Sequence, residues 1–232
     1  MLTKIKQLYL KDKFMFALVS VVFVLIFSFG IKYESQLWRM IPLMVSLVVM
    51  LLQSNANRFA YLLGACNCVL YTASNYVVGL YATAASSLFM SLPLQVLTFL
   101  RWQKNAYKNS AKFKCLSGKQ RVLVFGGLPV AWGVVYLIFS LFDSPYFLLD
   151  STTTLVGIFA TVLCILLYIE HSYLTIFNLV LQFVLYLKVL SDHPGQITYL
   201  VYNVYAIICV IRGYFRMREL YKEQQKEMEN EG

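Results

Sequence analysis

The sequence predicts an all-α polytopic membrane protein with eight transmembrane helices. Two parallel three-helix repeats are joined by a linker helix, and one extra helix precedes them. Of the 232 residues, 59% are hydrophobic and only 13% are charged, and the mean hydropathy is +0.65. Soluble domains carry about 25% charged residues, and disordered chains have low hydrophobicity, so both classes are excluded. Long apolar runs and the position of the basic residues between them complete the prediction.

Eight runs of the chain are long and apolar enough to cross a bilayer, which takes about 20 residues. The first run is too long for the apolar core of a signal peptide and has no small-residue cleavage site, so we expect it to persist as a helix. The predicted spans are 14–32, 36–53, 58–80, 83–102, 122–142, 149–169, 172–190 and 196–216.

The basic residues set the orientation. If the N-terminus is cytoplasmic, seventeen of the 20 Lys and Arg residues fall on the cytoplasmic side, as the positive-inside rule requires. We therefore expect a multi-pass protein of the plasma or inner membrane with both termini in the cytoplasm. The net charge of +9 does not indicate nucleic-acid binding, because the basic residues lie in short segments between apolar runs.

The predicted spans divide the chain into six parts. The linker and the tail are expected to be solvated segments near anionic lipid headgroups, the tail as a frayed helical extension. The parts are 1–35 (N-terminal tail and extra helix), 36–102 (first repeat), 103–121 (basic cytoplasmic linker), 122–142 (linker helix), 149–216 (second repeat) and 217–232 (cytoplasmic tail).

An internal repeat supports this division. Spans 2–4 and spans 6–8 cross the membrane in the same order of directions, and the stretch that leads to Asn67 resembles the stretch that leads to Asn178. Parallel repeats are a transporter plan in which substrate binds near the membrane midplane. Pro42 and Pro93 are expected inside spans as static kinks or, alternatively, as pivots between the halves.

Polar side chains recur at helical spacing along several spans, so that they share a face. Such faces line a cavity or hold helices together by hydrogen bonds; the second role is expected of single Ser and Thr residues, and both remain open for the amides. The stripes are Gly64, Asn67, Tyr71 and Asn75 in span 3, Ser87, Ser91, Gln95, Thr98 and Trp102 in span 4, and His171, Thr175, Asn178 and Gln182 in span 7.

The amides and the tyrosines beside them are the candidate substrate-binding residues. Uncharged donors and acceptors suit a neutral or weakly charged polar ligand, and a tyrosine can stack on a planar ring while its hydroxyl makes a hydrogen bond. The candidates are Asn67, Tyr71, Gln95, Tyr173, Asn178, Gln182, Tyr202 and Asn203.

Two carboxylates near the ends of span 6 are gate candidates. Asp150 is expected to cap the helix that it opens, with an outer gate as the alternative. Glu170 is expected to pair with a neighbouring basic residue, with a gate as the alternative. Because no ladder of carboxylates runs through the spans, ion coupling is not evident and a uniporter is favoured.

Other classes of protein receive little support. Five cysteines, four of them in apolar runs, predict neither a disulfide framework nor a zinc site, and no metal or cofactor is expected. His171 and His193 are the two histidines and form no catalytic constellation, so an enzyme is disfavoured. A non-transporting receptor or scaffold would leave the amide stripes unexplained.

Several motifs resemble those of the PnuC-type vitamin transporters over residues 36–216. The resemblance implies a 3+1+3 helix plan like that of the SWEET sugar transporters, facilitated diffusion of nicotinamide riboside or a related vitamin or nucleoside, trapping by a cytoplasmic kinase, and a homotrimer. The matching segments are Tyr61-Leu62-Leu63-Gly64-Ala65-Cys66-Asn67, Gly79-Leu80-Tyr81-Ala82, Leu94-Gln95-Val96 with Trp102, and the stretch from Asp150-Ser151 through Glu170 to Asn178.

One departure from the family pattern bears on the substrate. Members that carry nicotinamide riboside have a W-x-x-W-x-x-x-N signature, whereas the stretch from Glu170 to Asn178 keeps the asparagine and lacks both tryptophans. Two tryptophans suit a cationic pyridinium ring. The departure slightly favours a nucleoside or deoxynucleoside over nicotinamide riboside, with thiamine or riboflavin as further alternatives.

Overall fold

The computed structural model describes residues 2–33, 40–77, 87–139, 147–190 and 194–231, and most of them are helical. Eight α-helices are described, and each lies within or across one predicted span. They are α1 (Leu2–Tyr33), α2 (Ile41–Ser54), α3 (Phe59–Val77), α4 (Leu92–Lys104), α5 (Gly118–Phe139), α6 (Phe147–Ile165), α7 (His171–Leu190) and α8 (Ile197–Glu231).

Two of these helices contain a stretch that is long and apolar enough by itself to cross a membrane. The stretches are Lys13–Tyr33 in α1 and Ile197–Asn230 in α8. Shorter apolar segments occur at Ile41–Ser54, Phe59–Ala73 and Leu155–Ile165. The helical architecture agrees with the predicted fold class.

Helix α1 lies at the edge of the bundle and packs against α2 and α8. Met15, Val22 and Ile26 are buried on one stripe, whereas Phe14 and Phe16 are each 62% exposed. An apolar helix with one buried stripe and exposed phenylalanines is typical of a helix that faces lipid, as expected for the extra N-terminal helix.

The turns α2–α3 and α6–α7 share a backbone feature. Ala56 and Leu167 have positive φ angles of 50° and 69°, uncommon for residues other than glycine, and each lies two residues after the preceding helix ends. Leu167 also follows Ala56 by as many residues as Asn178 follows Asn67. The two turns are therefore equivalent under the sequence alignment that predicted the repeat.

The two prolines have different outcomes, because only Pro93 lies within a continuous helical segment as expected. Pro42 is the second residue of α2, where the missing N–H leaves no helical hydrogen bond broken, so it is not a mid-helix kink or pivot. Pro93 is the second residue of α4 and directly follows a π-helical turn at Ser87–Ser91. A π-turn is a common irregularity at functional sites, and Pro93 therefore marks a junction within span 4.

The linker and the tail are folded and packed against each other, and the tail is a helical extension as expected. A two-stranded hairpin, β1 (Ala106–Tyr107) and β2 (Ser110–Ala111), leads into a stretch where Phe113 is buried. Helix α8 continues to Glu231, and its residue Gln224 is buried. We call the end of the bundle at which the hairpin lies the linker end.

The core consists of three clusters that follow the helix packing. The first joins α1, α2, α7 and α8, and the second lies at the linker end, where Trp102, Phe113 and Met217 meet. The third joins α6 and α7 to Leu116 of the linker. Helix α5 packs against α6, and Trp132 donates to Oγ1 of Thr152 across 2.8 Å. The space between the second and third clusters holds the cavity described next.

Candidate substrate cavity

A cavity of about 290 Å³ lies among α3, α4, α6, α7 and α8. Its lining includes Gln53 near the end of α2, Trp102 near the end of α4 and His171 at the start of α7. These helix termini adjoin the linker, so the cavity reaches from the linker end into the bundle.

Two of the predicted polar faces line this cavity. Helix α4 contributes Ser91, which directly precedes it, together with Gln95, Thr98 and Trp102, and helix α7 contributes His171, Thr175 and Asn178. Residues three and four apart lie on one face of a helix. The sequence spacing therefore predicted which side chains of each helix share the face that lines the cavity. Gln95 and Asn178 are the two substrate-binding candidates that line it.

Helix α6 supplies a face that the sequence reading did not use. Gly157, Ala160, Thr161 and Cys164 line the cavity, and their spacing places them on one stripe. Tyr61 and Ser172 also line it without having been candidates. The sequence feature that could have indicated this face of α6 is its row of small residues, because small side chains leave space for a cavity beside a helix.

Three buried oxygens on the cavity wall have no hydrogen-bond partner among the described residues. They are Oε1 of Gln95, Oδ1 of Asn178 and Oγ of Ser172. Leaving a buried acceptor unpaired costs about 1–3 kcal/mol, so such atoms are rare unless a ligand or water pairs with them. Three of the residues that line the cavity therefore carry a buried oxygen without a partner among the described residues.

A glycine lies against each cavity amide. A Cβ at Gly64 would lie 2.9 Å from Oε1 of Gln95, and a Cβ at Gly157 would lie 3.3 Å from Nδ2 of Asn178. Both distances are shorter than ordinary van der Waals contact. The missing side chains at 64 and 157 therefore make room for the amides on the cavity wall.

The linker end of the cavity contains a hydrogen-bonded group around a thiol. The hydroxyl of Tyr61 and Sγ of Cys164 are 3.0 Å apart, and His171 lies near the same thiol. Nδ1 of His171 lies 2.7 Å from the carbonyl oxygen of Tyr168. These contacts fix the side chains of Tyr61 and His171 at the linker end of the cavity.

Asn67 lies outside the cavity lining and is held by the first repeat. It is 5% exposed, and its Nδ2 donates to Oγ of Ser46 across 2.8 Å. Tyr71 and Tyr202 lie near the same serine. The structure thus gathers three candidates around Ser46, in a group that we call the Ser46 cluster.

Asn203 and Gln182 form a pair between α7 and α8. Nδ2 of Asn203 lies 3.5 Å from Oε1 of Gln182, and Asn203 is 1% exposed. Oδ1 of Asn203, like Oδ1 of Asn67, has no partner among the described residues. Neither residue of the pair lines the cavity.

Tyr173 lies on the outside of the bundle. It is 48% exposed, and its hydroxyl is 2.6 Å from that of Tyr214 on α8. The placement follows from helix geometry, because Tyr173 is one residue after Ser172 and so points away from the face that Ser172 and Thr175 share. In this arrangement its ring does not reach the cavity.

The two gate candidates have separate outcomes. The side chain of Asp150 lies outside the described residues. Its backbone is the fourth residue of α6, which begins at Phe147, so Asp150 does not open this helix as its expected capping role requires. Glu170 is buried, and its Oε1 accepts hydrogen bonds from the backbone N–H of Leu116 at 3.0 Å and from Nη2 of Arg121 at 3.1 Å. The expected basic partner is therefore Arg121, and the carboxylate ties the linker to the α6–α7 turn.

Most of the chain matches the model of one protein family. Residues 36–218 match the model described as nicotinamide mononucleotide transporter, which covers most of the chain. The chain belongs to this family of transporters. Its members are membrane proteins, so the predicted PnuC-type resemblance, the membrane location and the transporter class are confirmed. No curated protein sequence matches the chain.

A solved structure shares the fold of this transporter-family chain. It is described as the crystal structure of the vitamin B3 transporter PnuC, and the match has a TM-score of 0.74 with 92% of each chain covered. The two sequences are 21% identical, so the comparison concerns the fold and leaves the ligand of this chain open.

Proposed function

We propose that the protein carries a neutral nucleoside-like molecule across the membrane by facilitated diffusion, with the cavity as its binding site. The observation that carries the proposal is the set of unpartnered oxygens among the lining residues, those of Gln95 on α4 and of Asn178 and Ser172 on α7. A nucleoside has several hydroxyl and N–H donors that pair with such acceptors, and its flat base fits against the remaining wall. These oxygens are the expected contacts for the ribose hydroxyls and the base edge.

The charge of the cavity supports a neutral substrate. Among the described residues that line it there is no Asp, Glu, Lys or Arg, and His171 is the one imidazole. A phosphate or a fixed cation would lose its hydration without meeting an opposite charge. The anionic mononucleotide and the cationic nicotinamide riboside are therefore less suited to this wall than a nucleoside or deoxynucleoside.

The aromatic side chains of the lining also favour a neutral substrate. Trp102 is 1% exposed, its Nε1 donates to the carbonyl of Cys164, and Tyr61 and Phe113 pack against it. Its faces are thus engaged by protein. A cationic ring needs open aromatic faces for cation–π contacts, and the described lining does not supply a pair of them.

The transport mechanism follows from two halves that meet at the cavity. Turns with positive φ at Ala56 and Leu167 and the asparagines Asn67 and Asn178 recur at the same offset, which supports a 3+1+3 plan with α5 as the linker helix. Rocking of one repeat against the other would expose the site alternately. With no acidic side chain in the described lining, uptake should persist when the membrane potential and proton gradient are collapsed.

Sidedness, trapping and assembly complete the proposal. Both termini and the linker face the cytoplasm, where a kinase phosphorylates the substrate and keeps it inside, and three copies assemble as the resemblance implies. A cysteine at Asn109, in an exposed turn, should resist impermeant thiol reagents in intact cells. Labelling of this cysteine from outside the cell would contradict the proposed orientation.

Counterflow in proteoliposomes tests the function. Vesicles loaded with unlabelled uridine should accumulate radiolabelled uridine transiently, and the Asn178→Leu variant should show much less exchange at the same protein density. Excess uridine or deoxyuridine should compete better than nicotinamide riboside, thiamine or riboflavin. Exchange of a vitamin but of no nucleoside would overturn the substrate class, and binding without exchange would indicate a receptor.

A further inference from the structure

Three aromatic rings close the linker end of the cavity. Tyr61 and Trp102 line it, with ring centroids 4.7 Å apart and edge-to-face. Phe113 of the linker also packs against Trp102, with ring centroids 5.3 Å apart and edge-to-face. We call Tyr61, Trp102 and Phe113 the aromatic floor, because a ligand leaving the cavity toward the linker would have to pass these rings.

The linker is bonded to both halves of the bundle. Its Asn109 carbonyl accepts from the N–H of Arg58 at 3.2 Å, next to the α2–α3 turn. On the other half, the N–H of Lys114 donates to the carbonyl of Leu167 at 2.9 Å, and the N–H of Ile169 donates to the carbonyl of Lys114 at 3.0 Å. The linker thus connects the α2–α3 turn to the α6–α7 turn.

The third attachment of the linker is Gln224 on the extension of α8. Its Nε2 donates to the carbonyl of Ala111 at 3.1 Å, and its Oε1 accepts from the N–H of Phe113 at 3.1 Å. The side chain is buried and fixes the backbone at the residue that supplies the floor. Lys108 with Glu223 at 2.6 Å and Tyr107 with Glu227 at 2.7 Å add exposed contacts.

We propose that linker residues 105–117 and the extension of α8 beyond Met217 form a gate at the linker end, and that Gln224 is the positioning residue that holds it closed. This inference rests on the proposed transport function, since a gate matters where a substrate passes. Gln224 acts through Phe113, whose ring supports Trp102. The gate opens when the linker and α8 separate, which breaks both bonds of Gln224.

The size of the effect follows from the two bonds. Each bond contributes modestly to the closed state. Without Gln224, the N–H of Phe113 and the carbonyl of Ala111 would also be left without this partner, which adds to the penalty. Replacing Gln224 by leucine should therefore shift the closed–open equilibrium toward open by about tenfold. Gln225 is the matched control, because it is exposed and bonds within α8 to Tyr221.

Thiol accessibility tests the gate without requiring transport. Cys164 lines the cavity beside the floor, whereas Cys209 is 0% exposed in another cluster. In detergent, methyl methanethiosulfonate should modify Cys164 about tenfold faster in Gln224→Leu than in the parent, with Gln225→Leu unchanged. An unchanged Cys164 rate, or an equal rise at Cys209, would overturn the proposal, because the second result would mean general unfolding.

Cross-linking tests the same gate during transport. In a background with the exposed thiols replaced (Cys66→Ser and Cys115→Ser), Lys108→Cys and Glu223→Cys are joined by a reducible bismaleimide. Counterflow of radiolabelled uridine should stop, equilibrium binding should remain, and reduction should restore exchange. A control pair of exposed residues within α8, Lys222→Cys with Lys226→Cys, should transport normally when joined.

The two proposals fail in different ways. Counterflow that continues through the joined linker and tail would overturn the gate and leave the function standing. If the uncross-linked parent exchanges no nucleoside, the proposed function fails, while the Cys164 modification rates still decide whether Gln224 controls access to the cavity.

Discussion

Asn67 and Asn178 occupy equivalent positions in the two halves of the molecule but have different surroundings. In the first half, Nδ2 of Asn67 donates to Oγ of Ser46, 21 residues earlier. In the second half, the residue at the same separation from Asn178 is Gly157, and the amide lines the cavity. A serine in the first half accepts from Nδ2 of Asn67, whereas a glycine at the equivalent position gives Nδ2 of Asn178 no such partner. Oδ1 of both amides has no partner among the described residues.

The largest expected effect concerns Asn178 itself. Asn178→Leu removes an acceptor that has no protein partner, so the ligand loses a hydrogen bond and buries an unpaired donor. Binding of radiolabelled uridine should weaken by about tenfold to a hundredfold, while thermal stability without ligand changes little. Equilibrium binding to purified protein measures the dissociation constant.

Asn67→Leu is the matched control for that substitution. It removes the same amide from the equivalent position, and it should leave the dissociation constant near that of the parent while lowering the melting temperature. If both variants bind uridine normally and unfold early, the two amides serve only to hold helices together, and the ligand site lies elsewhere.

A smaller effect is expected when the second half is given the arrangement of the first. Gly157→Ser places a side chain 3.3 Å from Nδ2 of Asn178, where its hydroxyl can hold the amide as Ser46 holds Asn67. Binding should weaken by about tenfold. Gly133→Ser is the control, because a Cβ there meets nothing within 4 Å; equal losses in both variants would remove the special role of Gly157.

The smallest effect is expected in the Ser46 cluster. Ser46→Ala leaves Nδ2 of Asn67 without its acceptor, and side-chain hydrogen bonds between membrane helices contribute about 0.6 kcal/mol on average. The melting temperature should fall by a few degrees with uridine binding unchanged. Ser20→Ala, which removes a similar bond to the carbonyl of Phe16 on the exposed α1, should shift the melting temperature less. A large loss of binding would place the ligand at this cluster.

Sequence periodicity was sufficient to predict much of the fold and part of the site. Helices appear where the apolar runs were found, and the face containing Ser91, Gln95 and Thr98 lines the cavity because helical spacing fixes which side chains point together. The same rule explains Tyr173, which is one residue away from the cavity face of α7. The presence of amides near Tyr173 in the sequence did not show that its own ring lies off the cavity face.

The rest of the site depends on contacts between segments that are distant in sequence. Tyr61 and Cys164 are in contact although 103 residues separate them. Asn67 lies outside the cavity lining, where it donates to Ser46 of α2. Neither contact has a local sequence signal. The folded tail does have one, because Met217, Leu220 and Gln224 follow helical spacing, and that stripe among charged residues indicates a buried face.

Ligand protection of two thiols tests most directly that the substrate binds in the cavity and not at the Ser46 cluster. Cys164 lines the cavity and is 6% exposed, whereas Cys68 follows Asn67 on α3 and is 9% exposed. With uridine at ten times its dissociation constant, modification of Cys164 by methyl methanethiosulfonate should slow by about tenfold, and that of Cys68 should not change. Protection of Cys68 with Cys164 unprotected would contradict the account.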